Sequence, residues 1–253
     1  MVDECHHLSA ASFELAVRRA KARFVLGLSA TVTRKDGHHP IIFVQCGPVR
    51  HKVDARAQAL RRGIQHRARL RPTLFQLPPS LRETDRRSIS AIYAALARDE
   101  PRNALIFDDV LSALEAGRSP VVLTERLDHL ELLRARFEKF VRHLVVLRGG
   151  MTVSERDDAH AGLQVPADEE RLILATGRYL GEGFDDPRLD TLFLTMPIAW
   201  KGTLAQYVGR LHRQRQGKID VIVYDYTDNA VPVLDRMAAK RHAGYRALGY
   251  VVE

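Results

Sequence analysis

The chain has very little cysteine: Cys5 and Cys46 are its only two among 253 residues. Two thiols cannot build the disulfide framework of a small secreted domain, and they fit a reducing compartment. No apolar run approaches the roughly eighteen residues of a membrane-spanning helix, and the N-terminus lacks the basic, apolar and small-residue succession of a signal peptide. The chain therefore reads as cytoplasmic. It has no internal repeat and no low-complexity segment. Cys5, His6, His7, His38, His39 and Cys46 invite a zinc reading, but no C-x₂-C pair or H-x₃₋₅-H spacing supports one. Also absent is a G-x-x-x-x-G-K-[ST] loop, the element that cradles nucleotide phosphates through backbone N–H groups.

What is present begins with enough apolar surface for real cores, 45% of residues in a length that makes one large or two medium domains. The net charge of +8 and a pI near 9.8 point toward polyanions, because clustered cations gain affinity by releasing the counterions of a phosphate backbone. The charge is concentrated. Between Arg50 and Arg71 stand Arg50, Lys52, Arg56, Arg61, Arg62, Arg67, Arg69 and Arg71 against one acid, Asp54. This strip reads equally well as a solvated linker or as a surface facing nucleic acid.

Apolar runs alternate with amphipathic segments, the habit of an α/β protein with parallel sheets. Residues 24–28 (FVLGL) and 41–44 (IIFV) read as strands, the first after a helix over 11–20. From Arg50 to Ser80 the basic run and the breakers Pro72, Pro78 and Pro79 read as a connection between domains. Helical spacing covers 89–97 and 104–116, with Gly117 as the expected C-terminal cap. Strands are then expected at 121–124, 144–147, 171–176, 191–194 and 221–224. Helices are expected at 127–141, 154–163 and 204–211, with a last one from Val231. Domains follow at 1–80 and 81–253.

Two charged motifs stand at opposite ends of this pattern: Asp3-Glu4-Cys5-His6, and Gln206-x-x-Gly209-Arg210-x-x-Arg213. Arg210 and Arg213 are three apart, so on a helix they would project from one face. Between these motifs lie Ser29-Ala30-Thr31, and Thr176-Gly177 followed by Glu182-Gly183-Phe184-Asp185-Asp186-Pro187. In this order the four motifs resemble those of superfamily 2 helicases of the DEAD/DEAH type: the acidic DExH box, the coupling motif, the arginine-finger motif and the motif between the last two. The stretch 27–37 (GLSATVTRKDG) is most similar to the branch holding DNA-repair translocases and restriction-enzyme motor subunits. The resemblance covers residues 1 to about 230.

That resemblance implies RecA-like parallel sheets, a partial first RecA-like domain followed by a complete helicase C-terminal one, and a module coupling ATP hydrolysis to movement on nucleic acid, DNA by the branch. Asp3 would hold the water shell of Mg²⁺. Glu4 would polarise the attacking water, since a hard cation and in-line attack on a γ-phosphate both require carboxylates. Arg210 and Arg213 would spread over the charge of the transferring phosphoryl group. His6, Gln206, Gly183 and Asp185 would serve the nucleotide; Thr31, Thr176, Gly177, Arg61 and Arg62 the nucleic acid. Ser29 to Thr31 also read more plainly as a hydroxyl-stabilised turn closing a strand. Without a phosphate loop, the chain reads as a truncated motor, a split subunit completed by a second chain, or an inert nucleic-acid-binding module that keeps the fold. Alone, it is expected to have little or no ATPase activity.

Overall fold

The computed structural model describes residues 1–5, 15, 19–29, 40–53, 63–82, 88–181, 184–198 and 201–253. The chain divides into two compact units, Met1–Asp54 and Ala55–Glu253.

The second unit is built on seven strands: β1 (Gln65–Pro72), β2 (Pro120–Thr124), β3 (Leu144–Leu147), β4 (Leu172–Thr176), β5 (Thr191–Leu194), β6 (Asp220–Thr227) and β7 (Val251–Val252). They form one sheet in the order β3-β4-β2-β5-β6-β1-β7, parallel throughout. Helices intervene at α2 (Pro79–Arg82), α3 (Ile89–Arg98), α4 (Glu100–Glu115), α5 (Leu127–Phe137), α6 (Val153–Leu163), α7 (Gly177–Gly181), α8 (Lys201–Leu211) and α9 (Pro232–Ala247), after α1 (Pro40–Cys46) in the first unit. This is the α/β, RecA-like architecture.

Burial follows from position in the sheet. Central β2 and β5 are buried at every residue, which is why they read as unbroken apolar runs, whereas edge strand β3 alternates half-buried with buried. The period of two sorts side chains onto two faces. Val121, Leu123, Ile173, Ala175, Leu192 and Leu194 pack on one side with Leu204, Tyr207 and Leu211 of α8 and Tyr245 of α9. Val122, Leu172, Leu174 and Phe193 pack on the other with Ile106 and Val110 of α4 and Leu133 and Phe137 of α5.

Helix ends are closed by local chemistry. Asp99 accepts from the Arg102 N–H at 3.0 Å to start α4, and Thr152 and Glu155 form a reciprocal capping box at α6. Gly117 ends α4 with φ of 69°, its N–H donating to Leu114 O while that of Arg118 donates to Ala113 O. That paired closure favours a left-handed residue, which glycine supplies without a Cβ penalty.

The structure corrects four expectations of secondary structure. The region 50–80 is not merely a connection, because β1 lies within it and is hydrogen-bonded between β6 and β7. Residues 41–44 belong to helix α1: Pro40 opens it, Gly47 with φ of 76° follows its end, and Ile42 is buried on the face that also carries Cys46. Residues 24–28 form no strand beyond one parallel bridge, Gly27 to Val2. The expected helix 11–20 lies almost wholly outside the described residues. The long helix from Leu127 ends at Phe137, and the remaining expected helices and strands of the second unit agree to within a few residues.

Candidate functional site

In the first unit, Val2 N–H donates to Leu26 O at 2.7 Å, Leu28 N–H to Val2 O at 2.9 Å, and Cys5 N–H to Leu28 O at 2.8 Å. Asp3 and Glu4 therefore leave the bridged segment at its carboxyl end, the end at which parallel α/β folds place their ligands. Ser29 follows Leu28 at the same end. The turn is tight: Glu4 has φ of 48°, and its N–H donates to Asp3 Oδ1 at 2.9 Å. A non-glycine residue in this conformation is held at a cost by its surroundings. Asp3 is exposed. One exposed carboxylate beside the bridge fits Mg²⁺, which retains waters and takes only one or two protein oxygens beside substrate phosphates. Among the described residues, no group of three or more His, Cys, Asp or Glu could hold a metal by itself. His6 and Thr31 lie outside the described residues.

In the second unit, β2 and β4 lie side by side, with Thr124 opposite Thr176 at their carboxyl ends. There the winding switches direction, since the chain passes from β2 outward to β3 and β4 and then returns to β5 on the other side. Gly177 follows Thr176 and opens α7. A Cβ at Gly177 would overlap the Tyr207 hydroxyl and Glu125 Oε1, so a larger residue there must displace those side chains. Burial, with the Glu125 carboxylate adding to it, holds the Tyr207 phenol in its protonated form, and it donates to Glu125 at 2.9 Å. Tyr207 stands next to Gln206 and one turn before Arg210 on α8.

Behind this edge is a buried chain. His129 Nε2 lies 2.9 Å from Asn103 Oδ1, and its Nδ1 lies 3.1 Å from Thr124 Oγ1. Desolvation, reinforced by Arg102, lowers the His129 pKa to about 3, so the ring is neutral. Asn103 Nδ2 donates to Ala97 O, which leaves Oδ1 as the acceptor facing the ring. Nε2 therefore carries the proton and Nδ1 accepts from the Thr124 hydroxyl. Sequence reasoning overlooked Thr124, Glu125, His129 and Tyr207. Their only signal was a polar residue on an otherwise apolar face.

The arginine motif is divided. Arg210 lies in the last turn of α8 with Nε 3.2 Å from Leu180 O, but α8 ends at Leu211, so Arg213 is not on the helix. The expectation of one helical face for both is corrected. The turn is held by Lys218, whose Nζ donates to Leu211 O at 3.2 Å, Arg213 O at 2.9 Å and Leu189 O at 2.7 Å, an ammonium satisfying carbonyls at a helix end. Arg213 reaches instead to Asp185, Nε to Oδ1 at 3.0 Å, with both side chains half exposed. Two motifs distant in sequence thus meet. Gln206 lies half-buried on α8, and Gly183 is outside the described residues.

The basic strip is partly structural. On β1, Arg67 pairs with Glu253, Arg69 donates to the Tyr224 hydroxyl at 2.9 Å, and Arg71 pairs with Asp109 at 2.8 Å. Arg61 and Arg62 lie outside the described residues. No helix among the described residues is long and apolar enough to cross a membrane.

Together, this sheet and its helices form a RecA-like unit, a fold shared with helicase C-terminal domains. No protein-family profile matches the sequence. The L396 protein of Acanthamoeba polyphaga mimivirus, named as a proposed ATP-dependent RNA helicase, is 22% identical over 262 residues, covering 100% of this chain and 47% of its own length. The 161L protein of Invertebrate iridescent virus 6, named as a proposed helicase, is 24% identical over 264 residues, covering 100% of this chain and 56% of its own. T4 UvsW superposes with a TM-score of 0.59 at 15% identity, covering 99% of this chain and 52% of UvsW. The chain spans about half the length of the curated relatives it matches.

Proposed function

We propose that the chain is a module of a cytoplasmic superfamily 2 helicase or translocase that couples ATP hydrolysis to movement on nucleic acid. The observation that carries this is the meeting of motifs in the second unit. Thr176-Gly177 packs against Tyr207 of the arginine-bearing helix, and Asp185 reaches Arg213. In this reading Asp3 holds the Mg²⁺ water shell, Glu4 polarises the attacking water, and Arg210 and Arg213 meet the charge of the phosphoryl group. ATP and Mg²⁺ are the cofactors. DNA is favoured by the branch resemblance, with RNA as the competing polymer because L396 is named for it.

The missing phosphate loop sets the test. The purified chain should hydrolyse ATP at or near background with or without DNA, while binding oligonucleotides with a steep loss of affinity as salt rises. Supplying a chain with a G-x-x-x-x-G-K-[ST] loop should restore turnover, and Arg210→Ala should lower it by a factor on the order of 10³ or more. If turnover does not return and nucleic-acid binding persists, the inert binding module is the correct reading. Robust DNA-stimulated turnover by the chain alone, lost in Glu4→Gln, would reveal another phosphate site. Competition between DNA and RNA oligonucleotides of one sequence decides the polymer.

A further inference from the structure

The chain's two cysteines lie far apart in sequence, yet the first unit brings them together. Cys5 is 4% exposed, directly after Glu4, and Cys46 ends α1 partly exposed. The two thiols are close enough for each to influence the other. Both sulfurs converge on Gly27: a methyl group there would lie 2.8 Å from Cys46 Sγ and 3.0 Å from Cys5 Sγ. The bare glycine backbone leaves the sulfurs room to meet. Beside them, Ile42 and the half-buried Val2 complete this small core. Apolar packing alone would explain one buried cysteine, which behaves as a small hydrophobe. It does not explain why both thiols of the chain face one another across a glycine, next to a turn strained at Glu4.

We propose that Cys5 and Cys46 form a reversible disulfide, a two-electron redox site that tethers the residue after the acidic pair to the end of α1. With a peroxide as oxidant, the partly exposed Cys46 thiolate attacks the O–O bond, giving a sulfenic acid and water. The Cys5 thiolate then attacks that sulfur, forming the S–S bond and releasing a second water. The thiols lose two electrons and two protons, and the peroxide becomes two waters. A dithiol reverses the bond by exchange through a mixed disulfide. Once closed, the bond encloses residues 6–45 and restricts the opening of the first unit.

The full chain should be treated with hydrogen peroxide at low protein concentration and analysed by mass spectrometry under non-reducing conditions. The expected product is a monomer lighter by two hydrogens, with peptides containing Cys5 and Cys46 linked and released by dithiothreitol. Cys5→Ser should leave Cys46 as a sulfenic acid that dimedone traps. Oxidation should slow proteolysis within residues 1–54 by about tenfold or more in the wild-type chain, and in neither serine variant. Gly27→Ala should slow closure by separating the sulfurs. Should that variant unfold, the linked-peptide measurement on the wild-type chain decides alone. Intermolecular dimers, or two thiols oxidised independently to sulfinic acids without a linked peptide, would overturn the proposal.

Discussion

Phe24 and Leu26 in the first unit are 82% and 58% exposed, whereas Leu172 and Ile173 in the second are completely buried. Both pairs belong to apolar runs that periodicity reads as buried strands. The difference lies in their neighbours. Leu172 and Ile173 sit in β4, paired on one side with β3 and on the other with β2, and helices cover both faces. Phe24 and Leu26 flank one bridge to Val2, and the first unit's described core holds two buried side chains, Cys5 and Ile42. A fully buried Leu, Ile, Val or Phe contributes roughly 1.5–3 kcal/mol. The second unit collects dozens of such terms, and the described part of the first very few. An apolar run becomes a strand only when ladder partners accept its backbone and a second layer covers its side chains.

The largest expected effect tests this contrast directly. Amide hydrogen exchange should be slower by several orders of magnitude in β2, β4 and β5 than at Val2 and Leu28, because the former open only with the second unit. Equal protection would break the comparison and require cover for the first unit from elsewhere. Next in size is the buried pair of Arg241 and Asp225, joined at 2.8 to 3.0 Å with both side chains 3% exposed or less. Asp225→Ala should cost about 3–5 kcal/mol in denaturant unfolding because it strands a buried guanidinium. Asp185→Ala breaks an exposed pair with Arg213 and should cost less than about 1 kcal/mol. Comparable losses would refute the burial argument.

Smaller effects refine the second unit. Gly177→Ala must displace Tyr207 and Glu125, and about 1–3 kcal/mol is expected from such overpacking, together with weaker nucleic-acid binding if Thr176-Gly177 is a contact. Unchanged stability and binding would show that the Tyr207 and Glu125 side chains move aside freely. His129 supplies a pH dependence. Its folded pKa is lowered to about 3, so the unfolded chain takes up that proton first. Stability is therefore complete above the ordinary histidine range and declines as pH falls from about 6.5 toward 3, by up to roughly 1.4 kcal/mol per unit. His129→Gln should flatten that slope, and an unaltered slope would assign the titration elsewhere. The smallest effect concerns the basic strip. Arg67→Gln with Arg69→Gln should change the salt dependence of DNA binding by less than about one phosphate contact, because Glu253 and Tyr224 already engage these side chains. Neutralising Arg61 and Arg62 as well should flatten it further. A full loss on Arg67 and Arg69 alone would return β1 to a nucleic-acid surface.

Much of the second unit was readable in the sequence because local signals agreed with the fold. Residues 144–147 and 191–194 are strands over the very residues that periodicity marked, and Gly117 is the left-handed cap that its position after a helical run suggested. β1 was missed because a strand carrying Arg67, Arg69 and Arg71 on alternate positions does not look apolar. Its arginines are accommodated by acids and a tyrosine contributed from distant segments. Helix α1 was missed because four consecutive apolar residues suit a strand or a helix equally, although Pro40 and Gly47 marked its ends. Of the candidate residues, Asp185 and Arg213 form a pair that no sequence pattern announced, and the helix end at Leu211 separates Arg213 from the face that carries Arg210.

The sequence by itself determined the parallel α/β character of the second unit, the order of the four motifs and the glycine that ends α4. These depend on the identity of a residue and of its near neighbours. The tertiary structure alone decided that β1 pairs with β6, that Glu125 and Tyr207 close on Gly177, that Lys218 secures the turn before Arg213, and that Cys5 and Cys46 face each other across Gly27. Each of these joins residues distant in the chain. Their cost or benefit arises only when partners leave water together, and no local pattern records which partners those will be.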